Sequence, residues 1–345
     1  MRMTMRWFGA DDRVTLGNIR QVPGMVGIVT ALYDLPPGAV WPLDRLEAVR
    51  HTIEAAGMVF EVAESLPVAE EIKLGLPNRD HLIENYCASI RNLGKVGVKV
   101  LCYNYMPIFS WTRTNLALPM PDGSTALAYS QSELEAMDLS QGVQGLPGWD
   151  QSYTADALNA MFRRYEGATE AQLFESFVYF LKAIVPVAEQ AGVLLALHPD
   201  DPPWSLLGMP RIVRNAADFQ RLLDAVPSRF NGICFCTGSL GALPENDLPA
   251  MVNQFADRIH FVHGRNIKRT APKTFHEVAH PSRFGDVDMY AVIKALYQNG
   301  FAGPIRSDHG RMIWGETGRP GYGLYDRALG TMYLTGLIEA IARER

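Results

Sequence analysis

Eight short apolar runs, most of them rich in Val, Ile or Leu, recur along the chain: MRWF (5–8), VGIVTAL (26–32), VFEVA (59–63), VKVLCYN (98–104), VLLALH (193–198), GICFC (232–236), IHFVH (259–263) and PIRSD (304–308). Between them lie longer segments of helical period, among them LDRLEAVRHTIEAAG and LFESFVYFLKAIVPVAEQAG, both closing on Ala-Gly as helix C-termini do. Such alternation is the pattern of repeated β-α units around a parallel sheet. Eight units predict an α/β fold of the (β/α)8 TIM barrel type, in one domain over residues 1–345. A barrel of about 250 residues with insertions accommodates that length. A doubly wound open sheet is the alternative, because alternation alone does not show closure.

One connection breaks the rhythm. From 106 to about 165 the chain carries Trp111, Trp149 and several prolines with little clear period. Long connections in compact domains usually carry function. This one follows the fourth strand and so leaves the C-terminal face, where barrel enzymes hold their active sites. It is expected to form a lid-like insertion or an oligomer contact.

Composition narrows the partners. A formal net charge of -5, with 48% hydrophobic and 20% charged residues, is that of a soluble globular protein and argues against nucleic acid. No run reaches the roughly 18 consecutive apolar residues of a membrane span. The N-terminal MRMTMRWFGADDR lacks the apolar core of a signal peptide, so the cytoplasm is expected. Cys87, Cys102, Cys234 and Cys236 are too few for a disulfide scaffold and are read as free thiols or metal ligands.

The last residues of the final four strands carry the chemistry. The fifth ends at His198, the sixth at Cys236, the seventh at His263 and the eighth at Asp308. In a barrel these ends are neighbours on the rim, so four good ligands converge without any local spacing motif. Period-two alternation puts Cys234 on the side of Cys236 but deeper, and turns His260 away from His263, so neither is chosen. Singly, each donor reads as well as a core residue. Together they predict a metal site. One thiolate, two imidazoles and a carboxylate disfavour Mg2+ and Ca2+ and suit Zn2+, Fe2+, Co2+ or Mn2+, with zinc first on ligand type alone. Arg265 and Asn266, directly after His263, are expected to bind substrate, Arg265 by a bidentate fork. His276 is a further substrate contact. Asp200 and Asp201 read as groups that support His198 or cap a helix.

The strings RWFG, IRQVPGMVGIVTALYDLPPGAVW, CFCTGSLG, IHFVHGRNIK, SDHGRMIWGE and GRPGYGLYDRALGTMYL resemble the D-mannonate dehydratase family of xylose isomerase-like barrels, from about Met5 to Leu337. The resemblance implies a hydro-lyase that removes water from D-mannonate to give 2-dehydro-3-deoxy-D-gluconate in hexuronate (glucuronate) catabolism. It implies a divalent metal, usually Mn2+, on His198, Cys236, His263 and Asp308, and a catalytic pair of His309 and Tyr322, with Tyr325 the rival tyrosine. A homo-oligomer is expected. Such a dehydration needs one group to take the C2 proton and another to protonate the leaving C3 hydroxyl. Tyr322 is assigned to the first and His309 to the second, and the glycines around them are expected to let backbone approach the substrate. Plainer roles are open: His309 as a support for Asp308, Tyr322 as packing. The rival functions are a metal-dependent sugar isomerase or epimerase on the same barrel, a phosphodiesterase, and a binding protein with structural zinc.

Overall fold

Eight parallel strands close into a barrel, and four more form a second sheet. The computed structural model of the chain describes residues 1–137 and 155–344. Its strands in chain order are β1 (Arg2–Arg6), β2 (Met25–Thr30), β3 (Val59–Glu64), β4 (Val100–Tyr103), β5 (Asn115–Pro119), β6 (Thr125–Ser130), β7 (Leu194–Leu197), β8 (Asn231–Cys236), β9 (Ile259–His263), β10 (Ile267–Ala271), β11 (Thr274–Glu277) and β12 (Pro304–Arg306). The barrel runs β1-β12-β9-β8-β7-β4-β3-β2 and returns to β1. Closure rules out the open sheet, which would leave two edges.

Each of the eight apolar runs overlaps a barrel strand, with ends that differ by one to three residues in all but β9. β1 starts at Arg2 rather than 5, and its Met3 and Met5 lie in the core between strands and outer helices. β12 stops at Arg306, and Asp308 adopts a left-handed φ of +64°. That conformation costs an L-residue energy, though Asp tolerates it better than most. It also interrupts the extended alternation that would otherwise turn Asp308 and His309 to opposite sides.

The lumen is filled by Val29, Val62, Val100, Cys102, Ala196, Cys234 and Phe261, drawn from the inward positions of six strands. A larger core lies between strands and outer helices. The helix Glu170–Ala191 shows how the outer ring is fixed. Thr169 and Gln172 form a capping box, Gly192 closes the C-terminus at φ +66°, and the stripe Leu173, Phe177, Phe180, Leu181, Ile184, Val185 and Ala188 is buried. Each large side chain of that stripe contributes up to about 1.5–3 kcal/mol. By length and composition this helix could cross a bilayer, yet that stripe packs into the barrel's outer core.

The 106–165 connection contains the hairpin β5–β6, and a second hairpin, β10–β11, follows β9. They join as an antiparallel sheet in the order β10-β11-β6-β5, with His276 opposite Ala128 and Phe275 opposite Tyr129. Trp149 lies outside the described residues.

Candidate functional site

Strand register brings the four donors to one level. Cys236 pairs with His263 across β8 and β9, and His263 pairs with Arg306 across β9 and β12. His198 stands one residue beyond β7, its N–H bonded to the Tyr103 carbonyl at 2.8 Å. One ligand atom each from His198, Cys236 and His263 lie within 4.8 Å of one another. Asp308 completes the group, with Oδ2 3.7 Å from Cys236 Sγ and Oδ1 3.7 Å from His263 Nδ1. Cys236, His263 and Asp308 are buried, and His198 is the most open of the four.

Tautomers and charge states suit a divalent cation. His198 Nδ1 donates to the Pro199 carbonyl at 2.6 Å, which leaves Nε2 bare. Burial lowers the His198 pKa despite nearby carboxylates, favouring the neutral ring a metal requires. His263 Nδ1 is buried without a hydrogen-bond partner, while Nε2 faces the Glu64 carboxylate at 3.5 Å. A ring with one nitrogen facing a carboxylate and the other bare suits metal ligation, in which a carboxylate usually orients the histidine. Burial would raise the Asp308 pKa, but Arg306, His309, His263 and Arg265 together hold it well below the carboxylate range. A second cluster, Cys102, Cys234 and His263, lies deeper. Burial in the apolar lumen pushes both of its thiols upward. The rim group, which adds the Asp308 carboxylate to a thiol and two imidazoles, is the better candidate for a metal.

Beside it the catalytic candidates touch. His309 Nε2 lies 2.9 Å from the Tyr322 hydroxyl, and Nδ1 lies 2.8 Å from Glu277 Oε1. Tyr322 is buried, whereas Tyr325 is 43% exposed and packs against Trp314 instead. Burial pushes the Tyr322 hydroxyl up to about 12, with Arg6 and Arg306 pulling it down. Trp111 covers the pair, its ring 4.9 Å from the His309 ring, and Phe8 of the RWFG string meets Tyr322 edge-on at 4.7 Å.

The substrate contacts expected from sequence lie differently. Arg265 reaches the centre, but its guanidinium is engaged by protein: Nη1 with Glu277 at 3.0 Å, Nη2 with Asp201 at 2.7 Å and Ser239 at 3.0 Å, and Nε 3.3 Å from Asp308. Gly238 permits this approach, since a Cβ there would stand 2.0 Å from Arg265 Nε. The Asn266 amide accepts from Val287 N–H and donates to the Pro281 carbonyl, so it clamps the following loop. His276 lines a separate pocket of about 570 Å³ with Met120, Arg311 and Tyr333. Its neighbour Glu277, on the opposite face of β11, reaches the site. Asp200 accepts from Val213 N–H at 2.8 Å, while Asp201 takes a bidentate pair from Arg113. Two glycines of the last loop are packed against protein: a Cβ on Gly321 would meet Leu127 at 2.5 Å and one on Gly323 would meet Glu316 at 2.1 Å.

Three residues escaped the sequence reading. Glu64 ends β3 and joins Arg306 at 2.8 Å and His263. Arg113 and Glu277 bond each other at 2.8 Å. Burial opposes the Glu277 charge, but His309, Arg265 and Arg113 hold its pKa at about 2. An acid at the end of the third strand was a legible signal for Glu64; nothing local marked the other two.

The chain matches the model of the D-mannonate dehydratase (UxuA) family over residues 1–345. It is 51% identical over 344 residues to mannonate dehydratase 2 of Halalkalibacterium halodurans, covering 99% of this chain and 100% of that protein. It is equally 51% identical over 345 residues to a mannonate dehydratase of Streptococcus uberis, covering 99% of each. The crystal structure of mannonate dehydratase from Streptococcus suis serotype 2 superposes with a TM-score of 0.91 at 46% identity, covering 100% of this chain and 94% of that one. A match spanning the whole chain, on a barrel of the same shape, means that this chain belongs to the D-mannonate dehydratase family.

Proposed function

We propose that the chain converts D-mannonate to 2-dehydro-3-deoxy-D-gluconate, with a divalent cation, Mn2+ first, on His198, Cys236, His263 and Asp308. Fe2+, Co2+ and Zn2+ are the alternatives that the donor set admits. The observation that carries this reading is the hydrogen-bonded His309–Tyr322 pair directly beside four convergent donors. A cation bound there would act as a Lewis acid, stabilising charge that builds on the substrate carboxylate as the C2 proton leaves.

The protein's own groups move the protons. With Nδ1–H donated to Glu277, His309 Nε2 accepts the Tyr322 hydroxyl. Transfer along that bond gives tyrosinate and imidazolium. The tyrosinate takes the C2 proton, the imidazolium gives its Nε2 proton to the C3 hydroxyl, and the C3–O bond breaks to release water. The resulting enol becomes the 2-keto acid, and both residues return to their resting protonation. Because the two atoms are 2.9 Å apart, they can address adjacent carbons from one side. Trp111 excludes water from the imidazole it covers. Placement in hexuronate catabolism, in the cytoplasm and as a homo-oligomer belongs to the same proposal.

The test is to chelate the protein, confirm metal loss, and assay D-mannonate with and without restored Mn2+ while detecting the 2-keto acid. Metal-dependent keto acid is expected. Epimerised or isomerised sugar acid without water loss would overturn the reading.

A further inference from the structure

We infer that Glu277 is a positioning residue for the proton-carrying pair, fixing His309 in the tautomer that leaves Nε2 bare for Tyr322. The inference rests on the proton roles proposed above and adds a residue to them. Glu277 Oε1 accepts from His309 Nδ1 at 2.8 Å. The same oxygen takes Arg113 Nη2 at 2.8 Å, Arg113 Nε at 3.2 Å and Arg265 Nη1 at 3.0 Å, all of it buried. Arg265 Nη1 also lies 3.0 Å from His309 Nδ1. Arg265 Nη1 has two hydrogens and could donate to both groups, but a bare Nδ1 would then set its lone pair against a carboxylate oxygen 2.8 Å away, so that contact places the imidazole hydrogen on Nδ1, pointing at Oε1. Tyr322 then has only the acceptor Nε2 to donate to.

The two arginines do not by themselves account for Glu277. Asp201 already holds Arg113 through both carboxylate oxygens and Arg265 at 2.7 Å. What Glu277 adds is the contact with His309, and the guanidiniums on the other side of Oε1 fix the direction from which it is made. A carboxylate that orients a histidine and balances its passing positive charge is the third member of many proton-relay triads. The side chain reaches the site through the second sheet. β11 pairs with β6 so that Phe275 and Glu277 turn to one face and His276 to the other, and Arg113 stands just before β5. The long connection after β4 thereby governs a proton bond at the end of β12.

The experiment uses full-length protein loaded with diamagnetic Zn2+ for spectroscopy and with Mn2+ for kinetics. The 15N-histidine spectrum of wild type, with His309 assigned by its loss in His309→Asn, is expected to show the Nδ1-protonated tautomer. In Glu277→Leu that tautomer should give way to a mixture, and kcat should fall roughly 10²–10⁴-fold with KM and metal content little changed. Glu277→Gln can keep an oxygen at the same place. It should retain the tautomer and lose only about 10-fold in kcat through the missing charge. This variant also keeps the question open to measurement if the leucine variant does not fold. An Nε2-protonated His309 in wild type, or Gln and Leu variants within about threefold of wild-type kcat, would overturn the inference. If His309→Asn and Tyr322→Phe both keep full turnover, the proton roles themselves fail. If those two variants lose turnover while the Glu277 variants do not, only the positioning role fails.

Discussion

The barrel rim and the two-hairpin sheet beside it place chemistry in different ways. On the rim, register between neighbouring strands sets Cys236, His263 and Arg306 side by side, so a donor's place follows from its place in the strand. In the second sheet, Glu277 reaches His309, with Arg113 bonded to the same carboxylate oxygen, because β11 pairs with β6, whose sequence lies far away in the chain. In the function proposed above, the rim supplies groups that bind and the sheet supplies groups that aim. The two should therefore separate experimentally into loss of metal and loss of turnover with metal retained.

The largest effect is expected from the rim. Cys236→Ser and His198→Ala should lose bound metal and essentially all turnover while circular dichroism shows an intact fold. Full metal occupancy by elemental analysis, with activity, would break the rim half of the comparison. Next come the groups that the sheet aims. His309→Asn and Tyr322→Phe should keep metal and substrate binding yet lose about 10²–10⁴-fold in kcat, the usual contribution of general acid-base groups. Tyr325→Phe, at an exposed ring against Trp314, should change little. Reversal of the two tyrosine results would move the proton carrier out of the buried pair.

The difference between the regions also explains what could be read from sequence. A barrel strand has a two-residue period and a known direction, so its last inward residue is visible in the string itself. That is why the four rim donors could be chosen, and why Cys234 and His260 could be set aside. Glu64 obeys the same rule but stands one residue beyond the apolar run 59–63, at the end of β3. The sheet has no such handle. Its strands IKRTA and TFHE are short and polar, and the face each residue presents depends on pairing with β6. His276, expected to meet substrate, lines a separate pocket, while its neighbour Glu277 on the opposite face of β11 reaches His309. Arg265 and Asn266 were read as substrate groups because their buried partners, Asp201 and Glu277 for one and a backbone loop for the other, come from distant segments.

Two intermediate effects sharpen the contrast. Glu64 faces His263 Nε2 at 3.5 Å, on the ring nitrogen away from Asp308, and if the rim holds a metal Glu64→Gln should weaken its binding about 10–100-fold, as loss of such supporting carboxylates does. A competition titration with a chelator would read it, and unchanged affinity would remove Glu64 from the site. Trp111 comes from the connection after β4 and covers His309 at 4.9 Å. Aromatic contacts of this kind contribute about 0.5–1.5 kcal/mol, so Trp111→Ala should lower kcat/KM by up to about tenfold with metal affinity unchanged. A loss of metal instead would make the connection part of the binding region and blur the division.

The smallest effect is expected at Cys234, and it decides between the two clusters that share His263. Cys234 Sγ lies 3.5 Å from His263 Nε2, close enough to look like a ligand. The surroundings argue otherwise. Cys234 belongs to the apolar lumen with Val62, Ala196 and Phe261, and burial holds its thiol well above the ordinary range. A metal there would also take the nitrogen that faces Glu64, leaving Nδ1 as the buried atom without a partner. Cys234→Ser should thus keep one metal per chain and near wild-type turnover. Its cost should fall on stability, at about 1–3 kcal/mol for a hydroxyl in an apolar setting, measured by denaturant unfolding of the metal-free protein. Loss of metal in Cys234→Ser, with metal retained in Cys236→Ser, would move the site one layer down the barrel, away from Asp308 and His309, and the division between a binding rim and an aiming sheet would fail with it.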